Sequence, residues 1–200
     1  MSDTPDQPMT TIEGKTFVGP SKRTPGDDNA HWVPHDYLRY VHCQFDARQA
    51  AEAVKLSGRS YVRFEHCHFI GGYEDCADLV NCSHITFYRC SFFSRRTRQH
   101  VTCKGTGTGN RWTSCRFEGR GTHGTVIDLG QHVTATSNRG GYLRNTTVED
   151  CTVTERNLSL VRSWRARGIT TRNNRGRYFI RHLSMPWPVW RMFWFVADRI

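Results

Sequence analysis

Three features are missing from this 200-residue sequence, and each absence excludes a class of protein. No apolar run reaches the roughly 18 residues that span a membrane, and the best candidate, 185–197, is interrupted by Arg191. The eight cysteines form no CxxC pair, so neither a metal site nor a cofactor is predicted. The N-terminus carries no basic and then apolar segment, so we expect no secretory signal and no disulfide scaffold.

Acidic residues are scarce at one end of the chain. The sequence holds 28 Lys and Arg against 18 Asp and Glu, and residues 151–200 contain ten Arg but only Glu155 and Asp198 as acids. A basic end indicates an acidic partner, which could be an anionic glycan, a nucleic acid or an acidic protein surface. A solvated basic face is the equally simple alternative.

What the sequence does contain is a repeated Cys-x-Phe motif. The cysteines are Cys43, Cys67, Cys90, Cys115 and Cys151, at steps of 24, 23, 25 and 36 residues. Two residues later come Phe45, Phe69, Phe92, Phe117 and Val153, and three residues earlier come Tyr40, Phe64, Phe87, Trp112 and Val148. The apolar period of two favours short strands over helical repeats.

A second column of short alternating segments lies between these motifs. It comprises AVKLSG, DLVNCS, HVTCKG, VIDLG and LVRSW, beginning at residues 53, 78, 100, 126 and 160. A repeat with two short strands cannot bury a face alone, but stacked repeats can. We therefore predict an all-β solenoid of five to six short coils, with Cys and Phe as interior ladders. Inert buried thiols are favoured over a redox or metal array.

The stretch DLVNCSHITFYRCSFFSRRTRQHVTCKG resembles a coil of the right-handed parallel β-helix superfamily, the pectate-lyase-like fold. The resemblance covers about residues 36–182 and implies a right-handed coil. We expect a flexible N-terminal arm at 1–30, the β-helix at 31–182 and an aromatic cap or assembly segment at 183–200. The longest step predicts an inserted loop at 130–145.

The resemblance also implies where an active site would lie. Lyases of this superfamily hold calcium with clustered Asp, and its hydrolases use paired carboxylates on successive coils. The outward positions here are mostly basic, and RRTRQHVTCKG contains no carboxylate. The best acidic cluster is Glu74, Asp75 and Asp78. It is either a carboxylate set for glycan cleavage or a solvated turn, and we favour a chain with no catalytic site.

Two further groups of residues are candidates for binding and assembly. The outward basic residues Arg39, Arg63, His68, Arg111, Arg116 and Arg175 are predicted to contact a partner. The aromatic residues Trp187, Trp190, Phe193, Trp194 and Phe195 either cap the last coil or anchor an assembly.

Together with these features, the resemblance implies a non-enzymatic structural or adhesive virion protein, such as a phage capsid decoration spike, tail spike or tail fibre, because such proteins are built from β-helices of this kind. It would be made in the host cytoplasm and would attach through its termini to other virion proteins, as a homotrimer. An acidic cell-surface glycan is a further candidate partner. The alternative is a polysaccharide lyase or glycoside hydrolase. Nucleic-acid binding through 156–181 is least favoured, because no recognised motif supports it.

Overall fold

Short strands, three in most coils and four in the fifth, build a parallel β-helix in which the first and the seventh coil lie about six turns apart. The computed structural model describes residues 7–22, 28–95, 97–130, 142–164 and 166–184. Every strand pair within these ranges is parallel, with neighbouring strands contributed by successive coils. The predicted parallel β-helix is confirmed.

The strands, numbered along the chain, follow one another coil by coil. The first two coils hold β1 (Thr10–Glu13), β2 (Thr16–Val18), β3 (Asn29–Trp32), β4 (Leu38–Val41), β5 (Gln44–Asp46) and β6 (Glu52–Ser57). The next two hold β7 (Arg63–Glu65), β8 (His68–Ile70), β9 (Asp75–Val80), β10 (Thr86–Tyr88), β11 (Ser91–Phe93) and β12 (Val101–Lys104). The fifth holds β13 (Gly107–Thr108), β14 (Arg111–Thr113), β15 (Arg116–Glu118) and β16 (Thr125–Leu129). The last two hold β17 (Leu143–Arg144), β18 (Thr147–Glu149), β19 (Thr152–Ser163), β20 (Ala166–Arg167), β21 (Thr170–Arg172) and β22 (Arg175–Ser184).

These strands stack into three long faces. The first face is the seven-stranded sheet β1-β4-β7-β10-β14-β18-β21. The second face runs through β2, β5, β8, β11 and β15, and the third through β3, β6, β9, β12 and β16. The long strands β19 and β22 continue from the second face onto the third, which joins the two faces into one twelve-stranded sheet.

The corner between the first two faces explains the Cys-x-Phe motif. One residue with positive φ turns the chain, and the following cysteine points inward; His66 has φ 53° before Cys67, and Arg89 has φ 52° before Cys90. Each thiol then donates a weak hydrogen bond to a carbonyl of the preceding coil, as Cys90 does to Phe64 O at 3.4 Å. Burial raises the pKa of the Cys115 thiol, which disfavours the reactive thiolate at that position.

Two aromatic ladders fill the interior, as predicted. Phe45, Phe69, Phe92 and Phe117 stack at centroid spacings of 4.9, 4.9 and 5.0 Å. A second ladder consists of Tyr40, Phe64, Phe87 and Trp112, and every one of these eight rings is fully buried. The spacing is close to the roughly 4.8 Å between hydrogen-bonded strands, so one ring per coil gives continuous stacking.

The core tapers towards the C-terminal coil. In the first ladder, Phe117 is followed by Val153 and then Gly176 in strand register. In the second, Val148 is followed by Thr171. In the cysteine row, the buried Asn174 takes the last position, donating to Val148 O and accepting from the Cys151 amide, both at 2.9 Å. The last described coil therefore buries much less apolar volume than those before it.

The β-helix begins within the segment predicted to be a flexible arm. β1 and β2 pair with β4 and β5, and Phe17 stacks on Phe45 at 4.9 Å. The β-helix was predicted to begin at residue 31, but its first described strand begins at Thr10. This coil was hidden in the sequence because Gly14 and Lys15 occupy the corner and cysteine positions. Residues 1–6 and 23–27 lie outside the described ranges.

The other predicted boundaries fall partly outside the described residues. β22 extends to Ser184, two residues beyond the predicted end of the β-helix at 182. Residues 131–141, most of the predicted insertion, and 185–200, most of the predicted aromatic segment, are not described. Within the described ranges, no helix is long and apolar enough to cross a membrane.

Candidate functional site

A row of charged and polar side chains crosses the third face. Strand register aligns Lys55, Asp78, Thr102, Asp128 and Arg162 on five successive coils. The first four of these residues are buried. Buried ionised groups are costly unless they are paired, so each charge in this row requires a partner.

Asp78 meets two lysines from the coils on either side. Its Oδ2 atom lies 3.1 Å from Lys104 Nζ and 3.5 Å from Lys55 Nζ. Burial alone would lower the pKa of Lys104, but the charges of Asp78 and Asp75 outweigh it and raise that pKa. One oxygen of the Asp78 carboxyl group is therefore shared by two lysines, one from each neighbouring coil.

Asp75, three residues earlier in β9, is almost fully buried, with 2% of its surface exposed. Burial, reinforced by the neighbouring Asp78 charge, raises the pKa of Asp75 to about 8. At neutral pH the Asp75 carboxyl is therefore mostly protonated, while Asp78 pairs with lysine. One oxygen of each, Oδ1, has no hydrogen-bond partner among the described residues.

Glu74 behaves differently from these two aspartates. It lies at the edge of the β-helix, partly exposed, and its carboxylate pairs with Arg98 at 3.3 Å. Asp75 and Asp78 thus both belong to a strand of the third face and are buried, whereas Glu74 precedes that strand and is partly exposed. The predicted cluster is not a solvated turn, because Asp75 and Asp78 belong to a strand and are buried.

Asp128 forms a second buried charge cluster on the same row. Arg162 donates to its Oδ2 through Nε at 3.1 Å and also through Nη2, and Trp164 Nε1 donates to its Oδ1 at 2.8 Å. The Arg162 guanidinium also lies over the Trp164 ring, 5.2 Å from its centroid. With both oxygens satisfied, Asp128 is a structural anion.

Sequence reasoning missed Lys55, Lys104 and Arg162. The signal was present, because AVKLSG, DLVNCS, HVTCKG, VIDLG and LVRSW align Lys55, Asp78, Thr102, Asp128 and Arg162 once their register is known. That register depends on loops of unequal length between the coils, and spacing alone does not fix it.

The predicted basic residues lie on two separate faces. Arg39, Arg63 and Arg111 share one row of the first face with Thr86. His68, Arg116 and Arg175 share one row of the second face with Ser91 and Thr152. The six residues therefore do not converge on one site.

Several of these cations are already paired. Arg39 donates to both oxygens of Glu65, from Nε at 3.0 Å and Nη2 at 2.6 Å, and Arg63 pairs with the same carboxylate. The hydrogen bond from Arg39 lowers the pKa of Glu65 against the opposing effect of burial. Arg116 pairs with Glu118 at 2.8 Å, and His68 Nδ1 lies 2.6 Å from Ser91 Oγ. Arg39, Arg63 and Arg116 are therefore already engaged by carboxylates.

No group of three or more His, Cys, Asp or Glu side chains in the described part of the chain is arranged to hold a metal ion. The predicted assembly residues Trp187, Trp190, Phe193, Trp194 and Phe195 lie outside the described ranges.

Comparison with known proteins adds little beyond the fold. Neither a protein-family model nor a curated protein matches the sequence. Among solved structures, the chain is similar to an alginate lyase from Paenibacillus sp. str. FPU-7, with 11% sequence identity and a TM-score of 0.47. The match covers 85% of this chain and 80% of that one.

Proposed function

We propose that this chain is a non-enzymatic structural and adhesive component of a virion, such as a bacteriophage capsid decoration spike, tail spike or tail fibre. One observation carries the non-enzymatic part. The acids best suited to catalysis are closed off, since Asp75 is 2% and Asp78 0% exposed, and Asp78 already contacts two lysines. Retaining and inverting glycosidases both require carboxyl groups that contact the glycosidic bond of the substrate. Carboxyl groups buried in this way cannot make that contact.

The adhesive part rests on the distribution of positive charge. Residues 166–184, the last described coil, carry five Arg and no Asp or Glu. Such a surface favours an acidic partner. An acidic cell-surface glycan suits an adhesive spike that must recognise a host, so glycan binding without cleavage is the activity we assign.

Assembly through the termini is the third element of the proposal. The aromatic and arginine residues of 185–200 have the composition of a buried interface centre. We propose that they hold a homotrimer or attach the chain to another virion protein.

Light scattering tests the assembly. The full chain is expected to have the mass of a trimer, and a chain ending at Ser184 is expected to lose that mass while keeping its β-sheet circular dichroism. A full-length variant with Trp187, Trp190 and Trp194 changed to Ser should behave as the shortened chain does. A monomer in all three forms would contradict assembly through the tail.

A polysaccharide lyase or glycoside hydrolase is the second candidate, and one observation favours it. Asp75 has a pKa raised by burial, whereas the neighbouring Asp78 carboxyl contacts a lysine, and carboxyl groups in such different surroundings are typical of acid–base pairs. The test is incubation with acidic and neutral polysaccharides, followed by assay of new reducing ends and unsaturated products. Turnover that is lost in Asp75→Asn and Asp78→Asn but kept in Glu155→Gln would establish this candidate and overturn the first.

A further inference from the structure

A β-bulge near the end of the second face shapes a concavity. Thr152 and Val153 in β19 pair with Arg175 and Gly176 in β22, but the next pair is Asn157 with Tyr178. Three residues, 154–156, therefore stand opposite Arg177 alone. Asn157 Nδ2 donates to Glu155 O at 3.0 Å across the bulge, and bulges of this kind re-aim side chains.

Gly176 forms the floor of this concavity and cannot readily be replaced. Its φ is +129°, and a Cβ atom there would lie 2.1 Å from Val153 O. Position 176 is also the one where the phenylalanine ladder ends. Beside the bulge lies an open space of about 450 Å³, lined among the described residues by Arg156, Gly176, Arg177 and Tyr178.

The lining combines positive charge with one fixed aromatic side chain. Arg156 and Arg177 bring two guanidinium groups, of which Arg156 already has another interaction, whereas no carboxylate among the described residues pairs with Arg177. The Tyr178 hydroxyl donates to Asn174 O at 2.9 Å, which holds the ring in place. Arg175, one of the predicted binding residues, precedes Gly176 directly.

We propose that this concavity, the end pocket, binds one acidic sugar unit, with its carboxylate or sulfate on the Arg177 guanidinium group and its ring beside Tyr178. Guanidinium forks match planar and tetrahedral oxyanions, and a tyrosine supplies an apolar surface with a polar tip. The inference rests on the proposed adhesive function and moves glycan contact from the side faces to the last coil.

Charge pairing elsewhere favours a sugar over a nucleic acid. A nucleic acid requires a run of available cations along its phosphates. Neighbouring arginines on the first two faces are instead occupied, Arg172 by Glu149 and Arg116 by Glu118. The end pocket is a single concavity that suits one ring and one anionic group.

Calorimetric titration of the full chain tests this assignment. The probes are a chondroitin sulfate tetrasaccharide, which carries carboxylate and sulfate groups, the neutral cellotetraose, and a 20-base-pair DNA duplex. We expect binding of the first probe only. Arg177→Gln should weaken that binding by about 10-fold or more, because a charge-assisted contact is lost. Arg177→Lys should have a smaller effect, since the positive charge remains although the paired N–H donors of the guanidinium group are lost.

The control variants separate a pocket from a general basic surface. Tyr178→Ala should weaken binding, whereas Tyr178→Phe, which keeps the ring, should retain most of it. Arg120→Gln removes an exposed arginine of another loop and should change the affinity by no more than about twofold. Unfolding midpoints of all variants are measured alongside, so that loss of fold is recognised.

The outcomes distinguish this inference from the function on which it rests. Glycan binding that Arg177→Gln leaves unchanged overturns the end pocket but keeps the adhesive function. Equal effects of Arg177→Gln and Arg120→Gln, or tighter binding of DNA than of the tetrasaccharide, also overturn the pocket. If the wild-type chain binds no probe, both the pocket and the glycan-binding function are rejected.

Discussion

Lys104 Nζ lies 3.1 Å from Asp78 Oδ2 on the adjacent coil, where the Lys104 side chain is 20% exposed and that of Asp78 only 1%. We expect Lys104→Met to destabilise the β-helix by about 2–4 kcal/mol, because it leaves a buried carboxylate with only the more distant Lys55. Urea unfolding followed by circular dichroism gives the change. The double variant Lys104→Met/Asp78→Asn should recover much of the loss, and equal stability of single and double variants would contradict a buried ion pair.

The protonated state of Asp75 predicts how stability depends on pH. The pKa is raised on folding, from an ordinary value near 3.8 to about 8, so the folded state binds the extra proton between these values. Stability from this group is full at low pH and falls as pH rises towards 8, by up to about 1.4 kcal/mol per pH unit.

Asp75→Asn should remove that part of the pH dependence. Unfolding free energies are measured from pH 5 to 8.5 for the wild type, for Asp75→Asn and for the exposed control Glu155→Gln. The expected result is a flatter profile for Asp75→Asn alone, with its gain in stability largest at the alkaline end. Parallel profiles for the wild type and Asp75→Asn would show that Asp75 is ionised in the folded protein.

Two adjacent phenylalanines in β11 test which side chains of the strand point into the core and which point to solvent. Phe92 is fully buried between Phe69 and Phe117, whereas Phe93 is 44% exposed. Phe92→Ala is expected to cost about 3–5 kcal/mol, and Phe93→Ala no more than about 0.5–1 kcal/mol. Both are read from chemical unfolding. A larger loss for Phe93→Ala would reverse the inward and outward assignment.

The corner between the first two faces predicts a stabilising change. Ser114 is exposed and has φ 55°, a conformation that costs an ordinary residue about 1–2 kcal/mol. Ser114→Gly should raise the free energy of unfolding by about 0.5–1 kcal/mol after the entropic cost of glycine is deducted. Ser114→Ala keeps the strain and should not stabilise. Thermal unfolding compares the two, and equal midpoints would count against strain at this corner.

The interior could be predicted from the sequence because it repeats. One cysteine and one phenylalanine per coil must lie in register if identical residues are to stack, so Cys67 and Phe69 imply the positions of Cys90 and Phe92. Asn174 could also be placed in the cysteine row, because the polar end of the series keeps the same spacing. The first coil could not, since Lys15 stands in the cysteine position there.

The candidate site was less predictable than the core because its partners come from different coils. Asp75 and Asp78 were visible as an acidic pair, but the lysines that contact Asp78, Lys55 and Lys104, lie more than twenty residues away from it on either side. The end pocket depends on a register shift between Val153 and Asn157, which neither hydrophobic pattern nor charge reveals. The repeated residues of the sequence therefore predict the stacked core, whereas the candidate sites depend on residues that break the repeat.

Because the core tapers, the coils of the β-helix should differ in stability along its axis. Coils that stack phenylalanine on phenylalanine resist opening, whereas the coil that holds Thr171 and Gly176 has less apolar contact to lose, mainly that of Ile169 and Tyr178. In a solenoid, each coil is held only by its neighbours, so fraying should start at the C-terminal coil and travel backwards one coil at a time. Amide protons should accordingly exchange with solvent fastest in β21 and slowest in β7 and β10. The end that carries the pocket is therefore the compliant end, able to adjust its shape to a ligand while the aromatic stack behind it stays rigid.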